Sequence, residues 1–260
     1  MSNYALITGA SKGIGRSIAY NMAKRGYDLI LIARSTVELQ QLKESLSTQF
    51  QVKVEIFVKD LSEQGAALEV ANWIKNNSFK ISVLVNNAGF GLWGKFESLS
   101  LQEQLNMLQL NMIFISELTY YLLPNIKENT PGYVLNISST AAYQAMPMLA
   151  LYAASKSFVL SFSRALRYEM KDSGVSVTCV SPGPADTGFA ERAGLLALKD
   201  LAEKFNMTAD AVAQAAVQAM LNRKAEVIPG ITNLVSAYAT LFLSKSFIEK
   251  VIGHLYNPKK

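Results

Sequence analysis

Apolar runs bounded by turn signals alternate with helix-like stretches from one end of this chain to the other, and that alternation admits few folds. Strand, helix and strand in repeated succession close most readily into a parallel sheet with helices on both faces. Strands are expected near residues 4–8, 27–33, 52–58, 81–86, 132–138, 175–180 and 225–228, where the apolar residues run almost without interruption. Such runs suit strands buried on both sides. The expectation is therefore an α/β fold, a doubly wound, Rossmann-like sheet of about seven parallel strands. Ser35 with Glu38 and Ser100 with Glu103 have capping-box spacing and mark helix starts. Gly26 after Lys24-Arg25 marks a helix stop, and an alanine-rich helix begins near Thr208. With 260 residues and no linker, the chain is expected to form a single domain over 1–260. The regularity breaks over 184–206, which carries Gly188 and Gly194. A long connection at the carboxyl end of a strand lies where such sheets bind ligands, so this stretch is expected to be a lid.

Composition removes several kinds of chemistry. Cys179 is the sole cysteine and His254 the sole histidine, which excludes disulfides, zinc clusters and serine-histidine triads, so no metal is expected. Cys179 alternates with Val175 and Val177 and reads as a core thiol. Twenty-five basic against 20 acidic residues leave a charge of +5, too mild and scattered for a nucleic-acid surface. Met1-Ser2-Asn3 leads directly into a strand without a secretory pattern, and the uncharged runs 129–155 and 227–244 are too polar to span a bilayer. A cytoplasmic location is the expectation. Residues 231–243, followed by Lys245, Lys250, Lys259 and Lys260, read as a stripe packed on the body or across an interface. A membrane-surface helix is the alternative for that stretch.

Two constellations carry chemistry. Gly9, Gly13 and Gly15 stand between the first strand and the first helix, where glycines let the backbone approach a pyrophosphate and the helix amides attract its charge. Their spacing, Gly-x3-Gly-x-Gly, differs from the commoner Gly-x-Gly-x2-Gly. Tyr152 and Lys156 lie one helical turn apart, thirteen residues beyond Ser139. A cation beside a phenol stabilises phenolate and is expected to lower the tyrosine pKa from about 10, making a general acid.

In order and spacing these residues resemble the classical short-chain dehydrogenases/reductases, over nearly the whole chain. Thr8 to Gly15 is similar to the family's cofactor turn, and Asn86-Asn87-Ala88-Gly89 to its motif after the fourth strand. Asn111, Ser139, Tyr152 and Lys156 are similar to its catalytic set, and Pro182-Gly183 with Thr187 to its nicotinamide-side motif. The resemblance implies hydride transfer between a nicotinamide and a carbonyl. Tyr152 would protonate the oxygen, Ser139 would hydrogen-bond the substrate, Lys156 would hold the nicotinamide ribose, and Asn111 would hold a proton-relaying water. It also implies a homo-oligomer built through helices over roughly 101–127 and 152–172.

The same resemblance sets the cofactor contacts: Gly9, Ser11, Lys12, Gly13, Ile14 and Gly15 at the phosphates, Asp60 and Leu61 at the adenine, and Asn87, Ala88 and Gly89 along the ribose. Tyr152, Lys156, Pro182, Gly183 and Thr187 complete the set at the nicotinamide. Enzymes of this design that use NAD carry an acid at the end of the second strand. Here that position is Ala33, followed by Arg34, with Lys12 nearby, so NADPH is expected in preference to NADH. Apolar residues near the catalytic set, namely Phe90, Leu92, Trp93, Ala141, Met146, Met148 and Leu149, suit an apolar carbonyl substrate. Ser139, Tyr143, Trp93 and Phe189 are the expected substrate contacts, with Leu195 in the same lid as Phe189. The alternatives are an alcohol dehydrogenase working in the oxidative direction with NAD(P) and a non-catalytic dinucleotide sensor.

Overall fold

The computed structural model describes residues 3–186, 188, 193–194, 207–240 and 242–256. Its main sheet has seven strands: β1 (Tyr4–Thr8), β2 (Asp28–Ala33), β3 (Val54–Val58), β4 (Ile81–Asn86), β5 (Gly132–Ile137), β6 (Val175–Val180) and β9 (Glu226–Val227). They lie in the order β3-β2-β1-β4-β5-β6-β9, and every pairing is parallel. A separate parallel pair, β7 (Ala185–Asp186) and β8 (Met207–Thr208), was not foreseen from the sequence. Strands two residues long leave no periodic signal to read.

The strands alternate their side chains between two apolar clusters. Leu6, Ile30, Leu84, Val134 and Val177 face α3 (Ala66–Asn76), α5 (Ile115–Glu128) and α6 (Ala150–Glu169). Ile7, Leu31, Val85 and Leu135 face α1 (Gly13–Ala23), α2 (Thr36–Phe50) and α7 (Ala209–Leu221). Both faces are thus covered, which is why β1, β2, β4, β5 and β6 are buried along their whole length. The edge strand β3 is buried only at Val54.

Helix ends follow the expected chemistry in part. Ser100 caps α4 (Leu101–Leu108) by accepting from the Glu103 amide, and Thr208 caps α7 through the Ala211 amide. Gly26 takes a positive φ just past α1. The capping box at Ser35 does not form: its side chain caps nothing, and Glu38 turns to the Lys12 ammonium at 3.3 Å. An ion pair with the glycine turn displaces the local backbone contact. Cys179 is fully buried, as expected of a core thiol. The expected lid 184–206 lies mostly outside the described residues, with Thr187, Phe189 and Leu195 among those outside. Among the described residues no helix is long and apolar enough to cross a membrane, and no group of side chains could hold a metal ion.

Strand order reverses between β1 and β4, and one hydroxyl joins their ends. Thr8 Oγ1 donates to the Val85 carbonyl at 3.1 Å and accepts from the Asn87 and Ala88 amides at 3.0 and 3.1 Å. Thr8→Val keeps the shape but strips those partners, and is expected to cost about 2–4 kcal/mol in urea unfolding. Thr8→Ser, which keeps the oxygen, is expected to stay within about 1 kcal/mol of the parent.

Candidate active site

A doubly wound sheet places its crevice at the carboxyl ends of the strands where the order reverses. Here that point is occupied by the glycine turn after β1 and by Asn87-Ala88-Gly89 after β4. Gly9 has φ +65°, and at Gly15 an added Cβ would run into the Gly9 carbonyl and the Asn87 amide. Asn87 Nδ2 binds the Thr8 and Gly9 carbonyls at 2.9 and 3.2 Å, and the Ala10 amide reaches the Ile32 carbonyl at 3.2 Å. The turn is therefore tied to both neighbouring strands, with bare backbone at the start of α1. Close-packed glycines beside helix amides fit a pyrophosphate.

Gly89 joins this turn to the catalytic set expected from the sequence. A Cβ there would stand 2.9 Å from Asn111 Oδ1 and 3.4 Å from Lys156 Nζ. Asn111 sits in a π-helical turn (Gln109–Phe114) between α4 and α5 and is completely buried. Its amide exchanges two hydrogen bonds with the Phe90 backbone, at 3.2 and 2.9 Å, and donates to Ser155 Oγ at 3.1 Å. Ser155 in turn donates to the Tyr152 carbonyl at 2.7 Å. The Asn111 side chain thus braces Phe90 and the first turn of α6. Ser155 escaped the sequence reading because a serine one position before the lysine looks like ordinary helix surface.

Ser139 lies just beyond β5 and caps the short turn Thr140–Tyr143, accepting from the Ala141 amide at 3.1 Å, and is hydrogen-bonded to the Tyr152 hydroxyl. Ser138, beside it, donates to the Lys156 carbonyl at 2.7 Å and so holds α6 against the strand end. Lys156 is buried, its Nζ donating to the Ile137 carbonyl at 3.1 Å and standing 5.8 Å from the centre of the Tyr152 ring. Four residues from two elements therefore converge within one hydrogen-bonded assembly.

The electrostatics of the pair run opposite to the sequence expectation. Burial pushes the Tyr152 phenol up to about 12, the Ser139 hydrogen bond offsetting only part of the rise. Burial also pushes the Lys156 ammonium down to about 8. Desolvation penalises whichever form is charged, and it is the largest cause of both shifts.

At the other end of the crevice, Arg34 lies 3.5 Å from Asp60, and Lys12 pairs with Glu38. Asp60 also accepts from the Ser62 amide and hydroxyl at 3.0 and 2.6 Å. Burial raises its pKa, but those bonds and Arg34 outweigh it and hold the carboxyl below its usual range. Arg34 and Asp60 meet at the open end of the β1–β2–β3 edge, where a nucleotide's ribose would project. At the nicotinamide side, a Cβ on Gly183 would collide with the Asn233 amide, so Pro182-Gly183 packs directly on the helix carrying that residue.

The expected substrate contacts divide. Phe90, Met146 and Leu149 share one apolar cluster with Tyr152. Trp93 borders it, with its indole donating to the Tyr256 carbonyl at 3.2 Å and its amide to Ala193 at 3.0 Å. Tyr143 bonds toward the sheet edge: its hydroxyl donates to Glu226 on β9 and lies 3.3 Å from Ser181, and Arg164 closes the group on Glu226 at 2.6 Å. Burial and the Glu226 carboxylate raise the phenol's pKa. The sequence reading missed Ile248, Ile252 and Tyr256. They lie four apart, enter the same cluster from the last helix, and bring Tyr256 close enough to raise the Tyr152 pKa further. That i, i+4, i+8 spacing was the available signal.

A family model described as short chain dehydrogenase matches residues 3–195. Hydroxysteroid dehydrogenase-like protein 1 of Gallus gallus is 34% identical over 182 residues, covering 69% of this chain and 54% of that protein. Very-long-chain 3-oxoacyl-CoA reductase of Anas platyrhynchos is 35% identical over 185 residues, covering 69% of this chain and 58% of its own. The match thus spans little more than half the length of these relatives. A solved short-chain dehydrogenase from Sphingobium yanoikuyae in complex with NADPH superposes with a TM-score of 0.83 at 29% identity, covering 95% of each chain.

Burial of Lys156 has a pH signature. Its folded pKa, about 8, lies below the unfolded value of 10.5, so between these the unfolded chain binds more protons and stability rises with pH. The penalty is full below about pH 8. Relative to the parent, cofactor-free Lys156→Met is expected to be most favoured at pH 7 and to lose that advantage progressively up to pH 10.5. Urea unfolding at a series of pH values measures it; a difference independent of pH contradicts the assignment.

Proposed function

The chain belongs to the short-chain dehydrogenase family, and from that premise we propose that it is an NADPH-dependent reductase of apolar carbonyl compounds. The observation that carries this reading is geometric: Tyr152 and Lys156 stand together on one face of α6, with Lys156 Nζ held by the Ile137 carbonyl and packed against Gly89, next to the Gly9–Gly15 turn.

In this reading the amides of the Gly9–Gly15 turn hold the pyrophosphate and Asp60 with Leu61 the adenine. Asn87, Ala88 and Gly89 line the path to the nicotinamide, where Lys156, Pro182, Gly183 and Thr187 hold the ring and its ribose. A nicotinamide held by these residues would supply a hydride to the carbonyl carbon. Ser139 donates to the carbonyl oxygen and orients it, and Tyr152 delivers its phenolic proton to that oxygen, so that C=O becomes CH–OH. Lys156 then stabilises the phenolate left behind, its charge being most useful at that moment. Asn111 and Ser155 brace this group without touching the reacting atoms.

Arg34 and Lys12 support NADPH over NADH, because a 2′-phosphate can replace the carboxylates that now face them. The apolar cluster of Phe90, Met146, Leu149, Ile248 and Ile252 supports a substrate with a large apolar body, and a 3-oxoacyl chain is one such class.

Tyr152→Phe is expected to lower NADPH-driven turnover of such ketones by about 10²–10⁴-fold while NADPH binding, followed by its fluorescence, changes little. Retained turnover would remove Tyr152 as the acid. Arg34→Glu is expected to lower kcat/KM for NADPH by roughly 10- to 100-fold and to leave NADH nearly unaffected. An equal loss with both cofactors would sink the assignment of Arg34 to the 2′-phosphate.

A further inference from the structure

Two helices near the end of the chain, α8 (Ile231–Ala239) and α9 (Lys245–Leu255), carry exposed apolar side chains. Among the described residues of this segment, Ile231, Leu234, Val235, Tyr238, Phe242, Leu243, Phe247, Val251 and Leu255 are all exposed. Phe242 is 88% exposed and Ile231 81%. Single exposed apolar residues are ordinary, whereas a concentration of them over two successive helices, as between Ile231 and Leu255, points to an interaction surface. On α8 the exposed set has helical spacing at 231, 234, 235 and 238, opposite the buried Asn233 and Ala237. Asn233 donates to the Pro229 carbonyl at 3.0 Å and packs on Gly183, so the helix is held in place with that face outward.

Helix α9 is apolar on two sides. Ile248 and Ile252 enter the cluster that holds Tyr152, while Phe247, Val251 and Leu255 point away from it. Lys250 stands one turn from Phe247, Lys245 opens the helix, and both are exposed; Glu249 is the one acidic side chain described between Ile231 and Tyr256. In the sequence, Lys259 and Lys260 follow.

We infer that the α8–α9 face docks on the surface of an anionic lipid bilayer. Phe242, Leu243 and Phe247 enter the interface, and Lys245 and Lys250 meet the headgroup charge. Aromatic and aliphatic side chains interleaved with lysines suit a bilayer boundary, where the stems lie along the apolar layer and the ammonium groups reach the headgroups. A second copy of the chain fits less well, because a two-fold contact through this face would bring its excess of positive charge against itself. No described helix is long and apolar enough to cross a membrane, and the contact inferred is with the surface. The docking does not rest on the reductase reading, although it would set α9 between the lipid and the cluster around Tyr152.

The test is flotation of the whole protein with vesicles of phosphatidylcholine alone and with about one third phosphatidylglycerol, at low and high salt, alongside its mass in solution. Binding to the anionic vesicles that weakens with salt is expected. Phe242→Asp with Phe247→Asp should reduce it about tenfold or more, as should Lys245→Glu with Lys250→Glu. The lysine pair is fully on the surface, and unchanged NADPH binding in both variants shows that they are folded. Absent binding, binding indifferent to the anionic lipid, or binding unchanged in the folded variants would overturn the inference. So would a dimer in solution that the phenylalanine variant splits without any effect on vesicles, since a second copy would then be the occupant.

Discussion

The crevice depends on a single hydroxyl at the point where the sheet changes direction. The chain leaves β1 toward one side and β4 toward the other, which opens a gap between the strand ends and leaves backbone groups there without sheet partners. Thr8 satisfies three of them at once, and Asn87 bonds back to the Thr8 and Gly9 carbonyls. With the two ends joined, Gly15 can pack against Gly9, and Gly89 comes to lie against Asn111 and Lys156. The glycine turn and the group around Tyr152 and Lys156 are therefore parts of one packed unit rather than two motifs that happen to be near each other.

Burial gives that unit its electrostatic character. A lysine and a tyrosine enclosed together might be supposed to form an ion pair, but desolvation costs both charged forms and leaves a protonated phenol beside a weakly held ammonium. The lysine is anchored by the Ile137 carbonyl, the helix carrying it by Ser138, and the turn before it by Asn111 through Ser155. Such complete satisfaction of polar groups leaves the tyrosine hydroxyl directed at Ser139.

The C-terminal helices add what the sheet does not supply. Strand ends provide polar contacts, while the apolar enclosure around Tyr152 is completed by Ile248, Ile252 and Tyr256 from the far end of the chain. Trp93 binds that end to the loop after β4. The outer sides of the same helices remain apolar and exposed, so the last helix has two apolar faces with different neighbours.

Much of this was legible in the sequence. All seven strands of the main sheet were readable within two residues, most plainly the five covered on both faces, which must be apolar throughout. The pairing of Tyr152 with Lys156 was readable because four residues make one helical turn, whereas Ser139 was named from the family resemblance. Three things were decided only by tertiary packing. Glu38 left its cap for Lys12, and Tyr143 turned to Glu226. The direction of both pKa shifts at Tyr152 and Lys156 was also decided there. Each depends on which groups from distant parts of the chain arrive beside a side chain and how much water they displace. Sequence spacing records the local period of a helix or strand; the dielectric and the partners around a polar group exist only once the sheet, α6 and the last helix have closed on one another.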